Sequence, residues 1–356
     1  MKKRSERKNV AAAAKTIGLD LGDQTSQVCV LDAGGEVIEE FTVPTTRSAI
    51  ERKFRAFPPG RVVLETGTHA NWIHDVLVST GHEAVVANAR KVRAISANER
   101  KSDVRDARML ARLGRVDVKL LEPVTVRAED VRLDLTLVRA RAAAVESRTQ
   151  LINAVRGLAK AAGHRLASCS TSCFHKQALP ATLDPALRGL IASIEQISKT
   201  IDDYDEKIEV LAREKYPRTK LLTQISGVGD LTALTFVLTL GDTARFKSGR
   251  DVGAFFGLVP GRDQSGGRDP QMRITKCGDA MVRTLLVQCA HRVLSARAPD
   301  TDLRRFGEKL AAHGGKAAKK RAVVATARKL AVLMFALLRN GEVYEPLRNS
   351  AAPTTP

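Results

Sequence analysis

The N-terminal part of the chain alternates short apolar runs with polar turns. Residues 16–22, 26–32 and 36–43 each have the length and the β-branched composition of a strand. The turns "GDQT" and "AGG" separate them. Connections this short join antiparallel neighbours, so the pattern predicts a three-stranded meander.

Helices and strands alternate after the meander. The predicted elements are, in order, the helix "TRSAIERKFRAF", the strand "RVVLE", a helix from about Asn71, a strand over 82–88 and a basic helix over 102–114. Periodicity by itself supports an α/β domain with a mixed sheet. The order, a meander followed by alternating helix and strand, is also that of a ribonuclease H-like domain.

The middle of the chain has a helical period. Apolar side chains recur without a break at the three–four spacing of a coiled-coil seam, at Leu187, Leu190, Ile194, Ile197, Ile201, Tyr204, Ile208 and Leu211. A weaker version runs from Val131 to Ile152, and the Gly- and Pro-containing segment 163–186 between them predicts a hairpin loop. Two long helices would pack on each other, on a second subunit, or on both. The regular seam favours an oligomerisation arm, and an ordinary amphipathic pair stays open.

The last third predicts mainly helices from about Lys220, interrupted by an exposed loop over 260–272 that is rich in glycine and proline. Between Arg304 and Arg339 ten lysines and arginines face a single acid, Glu308. The predicted organisation is a basic disordered N-terminus (1–14), an α/β domain (15–125), a helical arm (126–216), a mainly helical domain (217–345) and a disordered tail (346–356).

The charge of the chain predicts a polyanionic partner. Lysine and arginine total 58 against 39 acids among 356 residues, which gives a formal net charge of +19 and a pI of about 10.1. A protein that neutralises phosphates releases counterions, and this favours binding to nucleic acid. A membrane partner is not expected, because the best apolar run, 330–338, is far shorter than the ~20 residues of a span.

The termini and the cysteines predict a cytosolic protein. The basic start "MKKRSERKNVAAAAK" lacks the long apolar core of a signal peptide. Five scattered cysteines, of which only Cys169 and Cys173 are close in sequence, lack histidine partners at zinc-ligand spacing. They are interpreted as reduced structural thiols.

Four carboxylates are candidate metal ligands. Asp20 and Glu65 lie at the ends of two predicted strands, where α/β sheets usually carry their chemistry. Asp103 and Asp106 share one face of a predicted helix through their i, i+3 spacing. If all four converge, their repulsion requires cations, and two Mg²⁺ ions about 3.5–4 Å apart are a common solution for attack at phosphorus. Each acid taken alone is better explained as a turn residue, a surface charge or a helix-start residue, and the four taken together in a very basic chain favour a metal site.

The segment "GLDLGDQTS" admits a second interpretation, because actin-like kinases and ATPases cradle phosphate in a similar turn. That class needs a second Asp-Gly turn and a glycine-rich adenosine pocket, and neither is found in the sequence. The segment "ISGVGDLTALT" instead resembles a helix-hairpin-helix, in which Gly227 and Gly229 let backbone N–H groups approach a phosphate. An ordinary glycine turn between helices stays open.

Several motifs taken together, in their order, resemble one family. They are "IGLDLGDQTSQVCVLD", "VVLETGTHA", "KSDVRDARMLARL", "ISGVGDLTALT", "FFGLVPGRDQSGG" and "RITKCGDAMVRTLLVQCA". The similar family is insertion-sequence family one-hundred-and-ten, the bridge-RNA-guided recombinases, and the resemblance covers about 15–345. It implies a RuvC-like Asp-Glu-Asp-Asp domain, a coiled-coil arm and a mainly helical C-terminal transposase domain with a helix-hairpin-helix.

The resemblance also implies roles for single residues. Asp20, Glu65, Asp103 and Asp106 match the acids that bind Mg²⁺, expected as two ions, and Ser265 of "RDQSGG" matches a serine nucleophile. A serine that attacks phosphorus forms a phosphoserine-DNA ester and so conserves the bond energy for resealing. Arg262, Arg268, Arg273 and Lys276 are expected either to stabilise the reacting phosphate or to bind the backbone generally.

The implied partners are donor and target DNA and a guide (bridge) noncoding RNA, bound by a homodimer or homotetramer in a bacterial cytoplasm, at the nucleoid when active. The carboxylates and metal of the first domain would activate or position Ser265 of the second. Three rival functions stay open. One is a RuvC-like junction-resolving endonuclease that uses metal-activated water, and another is a non-catalytic scaffold for nucleic acid. The weakest is a kinase or ATPase, which a nucleotide-binding assay would test.

Overall fold

Five strands form one mixed sheet in the first part of the molecule. The computed structural model describes residues 15–96, 102–270 and 272–349 and divides the chain after Ala128 into two units. The strands and helices of the first unit are β1 (Thr16–Asp20), β2 (Thr25–Leu31), β3 (Val37–Pro44), α1 (Arg47–Arg55), β4 (Arg61–Glu65), α2 (Ala70–Ser79), β5 (Glu83–Ala87), α3 (Ala89–Ser96) and α4 (Asp103–Val116).

The strand order is β3-β2-β1-β4-β5. The pairs β1–β2 and β2–β3 are antiparallel, and β1–β4 and β4–β5 are parallel. The predicted meander and the alternating helices and strands after it are therefore confirmed, and α3 is an addition that the hydrophobic pattern did not predict. The mixed α/β architecture is consistent with a RuvC-like domain.

The sheet is the middle of three layers. Apolar side chains of β1, β2 and β4 pack against Ile50 and Phe54 of α1 and against Ile73 and Leu77 of α2 on one face. Helix α4 covers the other face, where Leu110 joins side chains of β4 and β5. Because both faces are covered, the central strands are apolar on both sides, as their sequences require.

Helices make up most of the regular structure described in the second unit. They are α5 (Glu129–Ala161), α6 (Asp184–Glu214), α7 (Lys220–Thr223), α8 (Asp230–Leu240), α9 (Gly249–Phe255), α10 (Ala280–Val293), α11 (Asp302–Ala311) and α12 (Gly315–Asn340). The predicted mainly helical C-terminal region is confirmed. None of the helices in the described ranges is long and apolar enough to cross a membrane.

Helices α5 and α6 form an antiparallel pair. Arg141 donates from Nε to Asp205 Oδ1 at 2.6 Å, and Arg148 donates to Ser198 Oγ at 3.3 Å, so rising numbers on one helix meet falling numbers on the other. The seam of α6 is buried or half-buried at each predicted position. Packing of the two helices on each other, one of the open alternatives, is thus observed. Oligomerisation through this arm stays a prediction.

A second apolar core holds the C-terminal helices together. Phe236 of α8, Phe256 after α9, Leu286 of α10 and Met334 of α12 are completely buried in it. The predicted disordered N-terminus, 1–14, and most of the predicted tail, 350–356, lie outside the described residues.

Candidate functional site

Asp20 and Glu65 end two neighbouring parallel strands. The register of β1 and β4 pairs Leu19 with Leu64, and the next residue on each strand is the candidate acid. Both acids are half-buried. Adjacent parallel strands place their carboxyl ends at the same edge of the sheet, so the two carboxylates share that edge.

Helix α4 brings the other two acids to the same edge. Gly114 near its end lies against Val63 and Thr16, whereas Ala107 lies over Gly18, so α4 runs antiparallel to β1. From Ala107 back to Asp103 the helix advances about 6 Å, and from Gly18 to Asp20 the strand advances a similar distance. The start of α4, with Asp103 exposed and Asp106 half-buried, therefore reaches the level at which β1 ends.

The four acids are not gathered into a closed cluster. Among residues 15–96, 102–270 and 272–349, no three histidine, cysteine, aspartate or glutamate side chains are close enough together to hold a metal ion. Carboxylate oxygens are nevertheless the ligands that Mg²⁺ and similar hard cations prefer. By donor chemistry and by their shared edge the four residues fit a divalent cation, and their role as its ligands stays a prediction.

Arg108 anchors α4 to the edge strand β3 of the sheet. Its guanidinium donates two hydrogen bonds to Glu40 of β3, at 2.5 and 2.6 Å. The hydrogen bond from Arg108 is the main cause that lowers the pKa of Glu40. Burial, reinforced by the Glu40 charge, raises the pKa of the Cys29 thiol to about 11. Cys29 is therefore an unreactive thiol of the core, as the sequence predicted for the cysteines.

His69 is a residue at this edge that the sequence analysis missed. Trp72 Nε1 donates to His69 Nδ1 at 3.1 Å, and His69 Nε2 lies 3.5 Å from Asp23 Oδ1. Because an indole N–H only donates, Nδ1 must accept and the neutral ring carries its proton on Nε2. His69 thus presents an N–H toward the β1–β2 turn. The sequence feature that could have indicated this contact is the i, i+3 spacing of His69 and Trp72 at a helix start.

Ser265 lies at the tip of a β-hairpin. Backbone hydrogen bonds join Gly261 to Arg273 and Thr275 to Val259 along its two sides. At the tip Ser265 and Arg268 exchange both N–H···O=C bonds at 3.1 Å, around a Gly266-Gly267 turn in which Gly266 has φ +57°. Residues 262–269 are exposed. The predicted exposed loop is confirmed, and it is a hydrogen-bonded hairpin.

The cations of the hairpin differ in their partners. Arg262 pairs with Asp269 at 3.1 Å across the hairpin, so its guanidinium already has a carboxylate partner. Arg268, Arg273 and Lys276 are exposed, and no ion pair involves them within the described ranges. Their binding to phosphate stays a prediction, and of the four cations Arg262 is the one already engaged.

Arg283 of α10 holds the two sides of the hairpin together at its base. Its Nη1 donates to the carbonyl of Phe256 at 3.1 Å and to that of Cys277 at 2.9 Å. Gly278 lies directly against the backbone of Phe255, where a Cβ would clash. The hairpin therefore projects from a fixed base.

Gly227 and Gly229 form the turn between α7 and α8. Gly227 has φ +93°, and a Cβ there would lie 3.1 Å from Arg292 Cγ. Gly229 is the N-cap of α8, and no atom within 4 Å would meet its Cβ. The glycine turn is confirmed. Since α7 has four residues, the helix-hairpin-helix assignment stays unconfirmed.

Two family models match successive parts of the chain. Residues 17–162 match a model described as "Transposase" and named for a DEDD transposase of IS110, and residues 219–306 match "Transposase IS116/IS110/IS902 family". The first range contains all four candidate acids, and the second contains Gly227, Gly229 and Ser265.

Curated relatives are similar along nearly the whole chain. The transposase for insertion sequence element IS1111A of Coxiella burnetii is 29% identical over 342 residues, which are 93% of this chain and 91% of that protein. A probable family 20 transposase of Pseudomonas aeruginosa is 28% identical over 93% of this chain and 98% of that protein. The transposase for IS1328 of Yersinia enterocolitica is 26% identical over 77% of this chain and 82% of that protein.

These matches agree with the α/β unit, the helical second unit and the order of the motifs. A domain of the DEDD type implies dependence on a divalent metal ion, which the carboxylate edge fits by its donor chemistry. The chain is a transposase of the IS110/IS116 family with an N-terminal DEDD domain.

Proposed function

We propose that this transposase exchanges DNA strands under the guidance of a noncoding RNA, with Mg²⁺ as its metal and Ser265 as its nucleophile. The observation that carries the proposal is the position of Ser265. Its hydroxyl is exposed at the tip of an anchored hairpin, with the cations Arg268, Arg273 and Lys276 on the same hairpin. An exposed hydroxyl amid cations suits attack on a phosphodiester.

The proposed reaction needs no external energy source, because each P–O bond that breaks is matched by a P–O bond that forms. The Ser265 oxygen attacks phosphorus, one backbone P–O bond breaks, and a serine–phosphate ester forms. The proton of the hydroxyl is transferred to a base, and the leaving oxygen receives a proton. A hydroxyl end of the partner DNA strand then attacks the ester, which reseals the backbone and regenerates the serine. Guanidinium and ammonium groups nearby stabilise the negative charge that develops on the phosphate oxygens.

Asp20, Glu65, Asp103 and Asp106 are the residues proposed to hold Mg²⁺, as two ions. When bound, the metal would supply a Lewis acid for phosphate oxygens. The task of the carboxylates themselves is to provide the oxygen ligands that Mg²⁺ prefers. Their shared edge at the ends of β1 and β4 and the start of α4 supports this assignment.

The decisive experiment is Ser265→Ala. The variant is incubated with end-labelled donor DNA, Mg²⁺ and the candidate RNA, and covalent protein–DNA adducts are separated by denaturing electrophoresis. We expect no adduct from Ser265→Ala and unchanged DNA binding. Ser172→Ala is the matched control, since Ser172 is also exposed in a loop. Mass spectrometry of the wild-type adduct should assign phosphate to the hairpin peptide.

An adduct that persists in Ser265→Ala would refute the serine assignment. Cleavage by the wild-type chain without any adduct would favour the rival junction-resolving endonuclease, which uses water. Wild-type behaviour of Asp20→Asn together with indifference to divalent metal would favour the non-catalytic scaffold.

Guidance by RNA and assembly need separate tests. The candidate RNA is the structured noncoding transcript of the DNA flanking this gene, and we expect recombination to require it and to follow changes in its pairing segments. A scrambled transcript of equal length is the control.

Analytical ultracentrifugation with and without the RNA distinguishes a homodimer from a homotetramer, both of which the α5–α6 arm would allow.

A further inference from the structure

The first two turns of α12 form a basic surface to which the proposed function assigns no role. Lys316, Lys319, Lys320 and Arg321, here named the α12 patch, are exposed, whereas Ala318 and Ala322 on the opposite side are buried. Spacings of three and four residues place Lys316, Lys319 and Lys320 on one helical face. Arg321 extends this face sideways, so four cations share one solvent-facing arc.

These cations have no acid to neutralise them. No aspartate or glutamate occurs in the sequence between Glu308 and Glu342. Among the ion pairs of the described residues none involves the α12 patch, whereas Arg304 and Arg305 of the neighbouring α11 pair with Glu308 and Asp300. The cations of the α12 patch are thus concentrated and unpaired, in contrast to those one helix earlier.

The arrangement is unfavourable for the helix itself. Like charges three and four residues apart repel each other, and cations near a helix N-terminus oppose the helix dipole. Acidic residues would be the stabilising choice in the first turn, and α12 has none there. A helix selected for stability alone would not carry this patch, and an anionic ligand would remove both penalties.

The side chains around the patch point to the class of ligand. Ala317 is the apolar residue in the exposed arc, so the surface offers no large hydrophobic side chain to a lipid bilayer or an apolar groove. Along the helix axis Lys316 and Lys320 are about 6 Å apart. Duplex DNA carries one charge per about 1.7 Å of axis, so several phosphates lie within reach of four flexible cations.

We propose that the α12 patch binds the phosphate backbone of a nucleic acid duplex, as a contact separate from the Ser265 hairpin and the Gly227–Gly229 turn. The contact is independent of base sequence, because lysines and arginines on an exposed face meet phosphates as point charges. The proposal rests on the chain being a transposase and not on Ser265 or on RNA guidance. It therefore survives if either of those is refuted.

The test is the full-length variant Lys316→Gln/Lys319→Gln/Lys320→Gln/Arg321→Gln. Its affinity for a short random-sequence DNA duplex and for a matching RNA duplex is measured between about 50 and 200 mM salt. The slope of log K against log salt is negative, and each lost phosphate contact reduces its magnitude by about 0.9, so we expect the magnitude to decrease by about 2 to 4. The duplex that shows the larger decrease is the ligand of the patch.

The matched control is Arg55→Gln/Arg188→Gln/Lys199→Gln/Arg305→Gln, which removes the same net charge from residues that have acidic partners. We expect the control to keep the wild-type slope. The α12 variant should also melt at or above the wild-type temperature, because repulsion is relieved. A slope equal to that of the control on both duplexes would overturn the proposal, as would tighter binding of polyglutamate than of nucleic acid by the wild-type patch.

Discussion

Gly18 of β1 lies directly under the backbone of Ala107 in α4, with no room for a side chain between them. A Cβ on Gly18 would clash with the Ala107 carbonyl and lie 2.6 Å from the Ala111 nitrogen. This close approach of helix and strand is what brings the start of α4 to the edge at which β1 ends. Gly18 therefore links the packing of the core to the placement of the four acids.

Gly18→Ala should displace α4 from the sheet. We expect a loss of about 1–3 kcal/mol in the free energy of unfolding, as for other overpacked cores. Metal-dependent activity should fall further than the unfolded fraction explains, because Asp103 and Asp106 move with the helix. Urea unfolding and an Mg²⁺ titration of strand exchange measure the two effects. Gly67→Ala is the control, since no atom within 4 Å would meet its Cβ. Equal stability of the two variants would contradict the packing argument.

The sequence predicted the N-terminal sheet well for a physical reason. Buried strands such as "RVVLE" are short, apolar and bounded by turns, so their limits follow from composition. Gly18 shows what the pattern could not supply. Its role comes from a helix that begins 85 residues later in the sequence and crosses it closely in the fold.

Some parts of the candidate site can be predicted from the sequence and others cannot. The four acids can be identified as candidate ligands because strand ends and an i, i+3 spacing are visible in the sequence. The ion pair between Arg262 and Asp269 cannot be predicted, because it depends on how the two sides of the hairpin align. The local sequence does not identify Ser265 as a nucleophile, because a serine beside two glycines is ordinarily a turn residue. The family resemblance is what predicts its role. The His69–Trp72 pair was missed because the hydrogen bond depends on ring orientation.

Trp72→Phe should release the tautomer of His69. The indole N–H holds Nδ1 as an acceptor, so in the wild type the neutral ring is protonated on Nε2. Phenylalanine keeps an aromatic ring and removes that donor, and we expect a mixture of tautomers. Long-range ¹H–¹⁵N NMR at alkaline pH shows which of the two ring nitrogens carries the proton. His82 is the internal reference, because Gly60 N–H donates to its Nδ1 and the Phe54 carbonyl accepts from its Nε2. A wild-type His69 whose neutral ring carries its proton on Nδ1 would refute the assignment.

Glu40→Gln should remove a pH-dependent part of the stability. Because Arg108 lowers the pKa of Glu40, the carboxylate stabilises the fold above its unfolded pKa near 4.5 and loses this effect as pH falls through the lower folded value. The wild type should therefore exceed the variant at neutral pH, and the difference should shrink toward zero in acid. Thermal melts across this range measure it. Glu39→Gln is the control, since Glu39 makes an exposed ion pair with Lys53 at 3.4 Å. A difference that does not vary with pH would contradict this linkage.

Arg283→Gln should loosen the Ser265 hairpin while leaving the core intact. Nη1 of Arg283 joins the carbonyls of Phe256 and Cys277, and glutamine is too short to reach both. We expect faster amide hydrogen exchange at Gly261 and Thr275, several-fold less covalent adduct, and unchanged DNA affinity. Arg250→Gln, on the exposed face of α9, is the matched control and should leave all three unchanged. If exchange in the hairpin stays at the wild-type rate, Arg283 does not fix its base. If exchange rises and adduct formation does not fall, the position of the hairpin does not limit the reaction.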